Sequence, residues 1–122
     1  MCIRDRIWPL ALRIDEHIKR LIILDISELA FDQYGNYVVQ ELIEQANSIE
    51  LWKIMKKLCN HLDLLSTNKY GSNVLESLIE HLNLCQLPVL LDRLSSAVDV
   101  KTIGDHPYGQ YVIKRLNKYL YN

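Results

Sequence analysis

Three sets of side chains recur at one spacing: Asn36, Tyr37 and Gln40; Ser72, Asn73 and Glu76; Gln110, Tyr111 and Lys114. In each set the first and third residues lie four positions apart, so on a helix they share a face one turn apart. Each set then offers two polar tips with a ring or an amide beside them. That layout suits reading one flat, hydrogen-bonding object per set, such as an unpaired base, whose edge meets the tips while a tyrosine stacks on its face. Glu76 is the sharpest case. A carboxylate accepts from both N1–H and N2–H2 of guanine, whereas uracil offers it one donor flanked by two carbonyl oxygens. Asn36 and Gln40 each carry a donor and an acceptor, matching the mixed edge of uracil. A wrong base leaves polar groups unpaired at roughly 1–3 kcal/mol each, enough for real discrimination. Lys114 only donates, so it suits a carbonyl oxygen or a phosphate and cannot accept from uracil N3–H.

The elements that must hold these sets in place are legible in a repeat. Asp32-Gln-Tyr-Gly-Asn-Tyr-Val-Val-Gln40, Asn68-Lys-Tyr-Gly-Ser-Asn-Val-Leu-Glu76 and His106-Pro-Tyr-Gly-Gln-Tyr-Val-Ile-Lys114 align without gaps on Gly35, Gly71 and Gly109. Leu29, Leu65 and Ile103 sit six before the glycine, Val38, Val74 and Val112 three after it, and Leu42, Leu78 and Leu116 seven after it. Within each unit the apolar period is helical: Val38, Val39, Leu42 and Ile43 form one stripe, and Val74, Leu75, Leu78 and Ile79 repeat it. Asp32 and Asn68 are helix N-caps by type, and Pro107 fits a first turn. Second helices are expected near 49–60 (Ile49, Trp52, Ile54, Met55, Leu58) and 86–97 (Leu87, Leu90, Leu91, Leu94), with Trp52 and Met55 in the core. Short helical pieces at Ile26–Phe31, Leu62–Thr67 and Val98–Ile103 lead into each glycine segment. Residues 10–24 read as a further helix, with Asp15–Lys19 and Glu16–Arg20 as supporting pairs on an exposed face. Tyr34, Tyr70 and Tyr108 are expected to pack, and the glycines to allow close approach of neighbouring units.

Three helices per repeat of ~36 residues, stacked side by side, make an all-α chain, an α-solenoid of about two and a half repeats plus a preceding helix. The expected divisions are a leader at 1–8, the last helix of a preceding repeat at 9–24, repeats at 25–60 and 61–98, and an incomplete repeat at 99–122. The outer units lack a neighbour on one side, which points to a stretch of a longer array or to atypical caps.

Composition narrows the function. The 122 residues carry 14 Lys+Arg against 15 Asp+Glu, a formal net charge of −1, so bulk attraction to a polyanion is not the driving force. Any grip on nucleic acid must come from placed residues. Cys2, Cys59 and Cys85 form no CxxC and no disulfide framework. No apolar run is long enough for a bilayer, and Pro9 breaks the short N-terminal patch that might pass for a signal peptide. His17, His61, His81 and His106 lack metal-ligand spacing, with His17 and His81 on helix surfaces. Cys59 and His61 have no third partner to orient them, and no phosphate loop or hydrolase motif is present. No catalytic residue, cofactor or metal is expected; the chain does not read as an enzyme.

The glycine segments and the residue sets resemble Pumilio-type (PUF) repeats, over residues 25–122. Repeats of this kind are known to read RNA one base at a time. The resemblance implies that Asn36/Tyr37/Gln40 reads uracil and Ser72/Asn73/Glu76 reads guanine, with the second unit's base 5′ of the first, giving 5′-G-U-3′. The order of the units is similar to the last part of the family array, which reads a UGU core. It implies binding to single-stranded RNA in mRNA 3′ untranslated regions, in the cytoplasm and away from membranes, with repression or decay through co-repressors or deadenylation machinery. Gln110/Tyr111/Lys114 departs from the Asn…Gln pattern expected for the 5′ uracil; Tyr111 remains a stacking residue and its base is open. The rival readings are a HEAT- or armadillo-like protein-binding scaffold and a divergent Pumilio-like factor of ribosome biogenesis.

Overall fold

A computed structural model describes residues 15–120, and every regular element in that span is helical. The leader at 1–8 and the first part of the expected 10–24 helix lie outside the described residues. Helix α1 spans Glu16–Leu24, and Asp15 caps it by accepting from the Ile18 amide at 2.9 Å. Then follow α2 (Ile26–Ala30), α3 (Gly35–Gln45) and α4 (Ser48–Leu58). A 3-10 turn at Cys59–His61 leads into α5 (Leu62–Thr67), α6 (Gly71–His81) and α7 (Leu87–Ala97). Two more, α8 (Val100–Gly104) and α9 (Gly109–Leu120), complete the order.

The three glycine-led helices form one layer, with α6 packed between α3 and α9. The short helices α2, α5 and α8 each brace the glycine-led helix that follows them. Because each unit contributes one apolar stripe, the core runs continuously through Val39, Leu42, Ile43, Val74, Leu75, Leu78, Ile79, Val112 and Leu116. Ile54, Met55, Leu58, Leu90 and Leu94 close it from α4 and α7. Val38 is only half-buried, Ile49 is exposed, and Trp52 is half-buried against the core edge, so these three fall short of full burial. The capping box of α4 explains Ile49: Asn47 and Glu50 bond reciprocally and set the start of the helix so that Ile49 faces outward. Glu50 also takes Lys19 of α1 at 3.4 Å. Lys19 is therefore buried between helices and not paired with Asp15 on an open face.

The glycines serve a tight contact inside each repeat and not, as expected, between repeats. A Cβ on Gly35 would lie 2.8 Å from the Leu29 carbonyl oxygen, and one on Gly71 would lie 2.9 Å from Leu65 Cδ2. On Gly109 it would run into the Ile103 carbonyl oxygen. The apolar residue six before each glycine is thus its packing partner, and the absent side chain lets the short helix close onto the long one.

Candidate nucleic-acid interface

Each glycine-led helix starts from the same turn, closed by three different residues. Asp32 Oδ2 accepts from the amides of Tyr34 (2.8 Å) and Gly35 (2.6 Å). Asn68 Oδ1 accepts from Tyr70 (2.9 Å) and Gly71 (2.8 Å), and His106 Nδ1 from Tyr108 (3.1 Å) and Gly109 (3.4 Å). The amides of Gly35 and Tyr34 hold the Asp32 carboxyl below the ordinary aspartate range. These turns put each residue set into the first two turns of its helix.

From the middle of that layer a groove of about 290 Å3 opens, lined by Tyr37 and Gln40 of α3, Asn73, Glu76, Ser77 and Glu80 of α6, and Arg115 of α9. Tyr37 and Asn73 are exposed at its rim, while Gln40 and Glu76 are half-buried. Burial pushes the Glu76 carboxyl above the ordinary glutamate value; Arg115 pulls it back down, and Glu80 adds a smaller upward push. The Arg115 guanidinium stands 3.5 Å from Glu76 Oε1 and also pairs with Glu80 Oε1.

The first member of each set is placed differently from the expectation of two open tips. Asn36 is completely buried, its Nδ2 donating to the carbonyls of Asp32 and Gln33, each at 2.9 Å. Its Oδ1 accepts from Gln40 Nε2 at 3.0 Å. Ser72 is also buried, with Oγ donating to the Lys69 carbonyl at 3.3 Å. A short polar side chain in a helix's first turn reaches back to carbonyls three or four residues earlier, and here that reach draws it under the preceding loop. Asn36 acts as a strut for Gln40, which keeps Oε1 and a second amide hydrogen for the groove.

The third set stands apart from the groove. Gln110 Nε2 donates to the Pro107 carbonyl at 3.2 Å, Tyr111 is half-exposed, and the Lys114 ammonium lies 5.3 Å from the centre of the Tyr111 ring. Tyr34 (73% exposed) does not pack as expected, whereas Tyr108 rests against the His106 ring, 5.8 Å between centres, and Tyr70 is half-buried beneath the Lys69 ammonium. Elsewhere, His61 meets Phe31 edge-on, and burial pushes the Cys59 thiol up despite the nearby Arg93. Among the described residues no cluster of three metal-ligating side chains forms, and no helix is long and apolar enough to cross a membrane.

Arg115, Ser77 and Glu80 are the groove residues that the sequence reading missed. A signal existed: Glu76 and Glu80 are like charges four apart on one helix face, an arrangement that asks for a cation from a neighbouring element.

Helices stacked in repeating groups through a common glycine-led layer define a solenoid repeat protein. Residues 25–59 and 61–84 match the Pumilio-family RNA binding repeat. A solved Puf4 mutant bound to the Cox17 RNA 3′ UTR recognition sequence is similar at 24% identity and a TM-score of 0.78, over 84% of this chain and 31% of that one. PUF-8 in complex with PBE-RNA is 26% identical, with a TM-score of 0.73 over 81% of this chain and 29% of that one. The RNA-binding domain of yeast Puf5p bound to AAT2 RNA is 20% identical, with a TM-score of 0.69 over 80% and 28%. No curated protein matches the chain in sequence. The chain belongs to the Pumilio (PUF) repeat proteins and spans about a third of the length of the solved relatives it matches. The repeat match ends at residue 84, before the third glycine segment.

Proposed function

We propose that this chain is a sequence-specific, single-stranded RNA-binding module that takes one base per repeat. The observation that carries the proposal is the groove in which Gln40 and Glu76, the third members of successive sets, stand half-buried beside Tyr37 and Asn73. Gln40 suits uracil through its remaining acceptor and donor, and the Glu76 carboxylate suits N1–H and N2–H2 of guanine. Tyr37, 38% exposed, has a ring face free to stack on a base. The solved relatives bound to 3′ UTR recognition sequences favour the same substrate class for this chain. In the family's antiparallel sense the two repeats read 5′-G-U-3′ within a UGU-like core. The chain would then act on mRNA 3′ untranslated regions in the cytoplasm, where recruited co-repressors or deadenylation machinery carry out repression or decay.

Short RNAs differing only at the central base, UGU, UAU and UCU, test the proposal by fluorescence polarisation. The UGU oligomer should bind at least about tenfold more tightly than the other two, the equivalent of ~1.4 kcal/mol. Equal binding of all three defeats it.

A further inference from the structure

We infer that Arg115 of the third repeat is the positioning residue that sets the base choice of the second repeat. This rests on the proposal that Glu76 reads guanine. Glu76 and Glu80 are one turn apart on α6, and both are partly withdrawn from water, so their mutual repulsion is poorly screened. Arg115, the only cation lining the groove among the described residues, reaches across from α9 and binds one oxygen of each carboxylate. A planar guanidinium can serve two acceptors at once from a fixed fork, which fixes the Glu76 carboxylate in place and favours its charged form. Guanine recognition needs both properties. A protonated Glu76 would present a donor where guanine also presents donors. Because Arg115 engages Oε1 of Glu76, acceptor capacity is left for the base.

The register of the repeats supports the assignment independently. Arg115 lies six residues after Gly109, and the corresponding residue of the second repeat, six after Gly71, is Ser77. Ser77 lines the same groove as Gln40, the reading side chain of the first repeat. A neutral reader therefore shares its groove with a neutral residue from the equivalent place in the following repeat, and a charged reader is paired with a charged one. Base choice at one repeat is in this way partly written in the next.

Binding of UGU and UAU oligomers to the full chain separates this inference from the reading beneath it. Wild type should prefer UGU, and Arg115→Ala should reduce the UGU-to-UAU affinity ratio by about fivefold or more. Arg115→Lys should restore only part of the ratio, because it returns the cation without the two-pronged fork. In a Glu76→Gln background, Arg115→Ala should change the ratio less than ~2-fold, because the carboxylate it acts through is gone. A merely structural Arg115 would weaken both oligomers alike and leave the ratio in place. If Arg115→Ala fails to give a cooperative melt, Arg115→Gln keeps the stem and carries the same expectation. An unchanged ratio in the folded variant, or an equal loss in the Glu76→Gln background, overturns the inference while leaving guanine reading by Glu76 intact. A wild type without guanine preference overturns both.

Discussion

Helices α6 and α9 carry the same motif, yet they do different things with it. In α6, packed against both α3 and α9, the third residue of the set falls inside a groove: Glu76 is half-buried, paired to Arg115, and shares the groove with Tyr37 and Gln40 of α3. In α9, packed on one side by α6, the equivalent Lys114 is exposed and rests on its own repeat's Tyr111. Around Glu76, α3 and α9 supply the walls that exclude water, which raises the penalty for an unmatched base.

The largest effects should come from the core that holds the two helices together. Leu78→Ala in α6 removes a side chain with no exposure and should destabilise the fold by ~3–5 kcal/mol, while Leu116→Ala at the edge should fall nearer ~2 kcal/mol, because its surroundings can relax. Denaturant melts of both variants measure the gap, and equal losses would break the distinction between middle and edge. Next in size, Gly109→Ala forces a methyl against the Ile103 backbone and should cost ~1–3 kcal/mol, whereas Gly104→Ala meets nothing within 4 Å and should be neutral or stabilising by up to ~1 kcal/mol. Thermal melts of the pair should move in opposite directions or leave only the first displaced.

On binding, Glu76→Gln should remove most of a guanine preference of about tenfold, and Lys114→Gln should leave that preference unchanged while weakening all oligomers slightly. Polarisation titrations with UGU and UAU oligomers measure both. The smallest effect belongs to the helix starts. The Asp32 carboxyl is held below its ordinary range in the fold, so its stabilising contribution is present above the unfolded aspartate value and is lost as pH falls through the lower folded value. Asp32→Asn, which copies the Asn68 cap of the second repeat, should keep the turn and flatten that acid-side loss in a pH series of melts.

Periodicity made the helices legible because the stripe of Val74, Leu75, Leu78 and Ile79 buries along one line, and each cap residue marks its helix start. The spacing of Gln40 and Glu76 likewise pointed to one shared surface. Three things were not legible. Asn36 and Ser72 share the face of their partners in projection, but their short side chains turn back to carbonyls of the preceding loop, a choice that depends on how that loop closes. Arg115 reaches Glu76 from 39 positions away in sequence, and such pairings emerge only when α9 is laid against α6. Tyr34 shows a third gap: an aromatic residue repeated in every unit looked like core, but its place ahead of the helix leaves it 73% exposed.

Moving one repeat's reading set into the other tests the central claim most directly. Ser72→Asn, Asn73→Tyr and Glu76→Gln together give α6 the side chains of α3. Binding of oligomers that differ only at the base assigned to α6 should then switch from guanine to uracil by about tenfold, with the neighbouring base unaffected. A folded triple variant that still prefers guanine, or that changes its choice at a different base, would contradict the account.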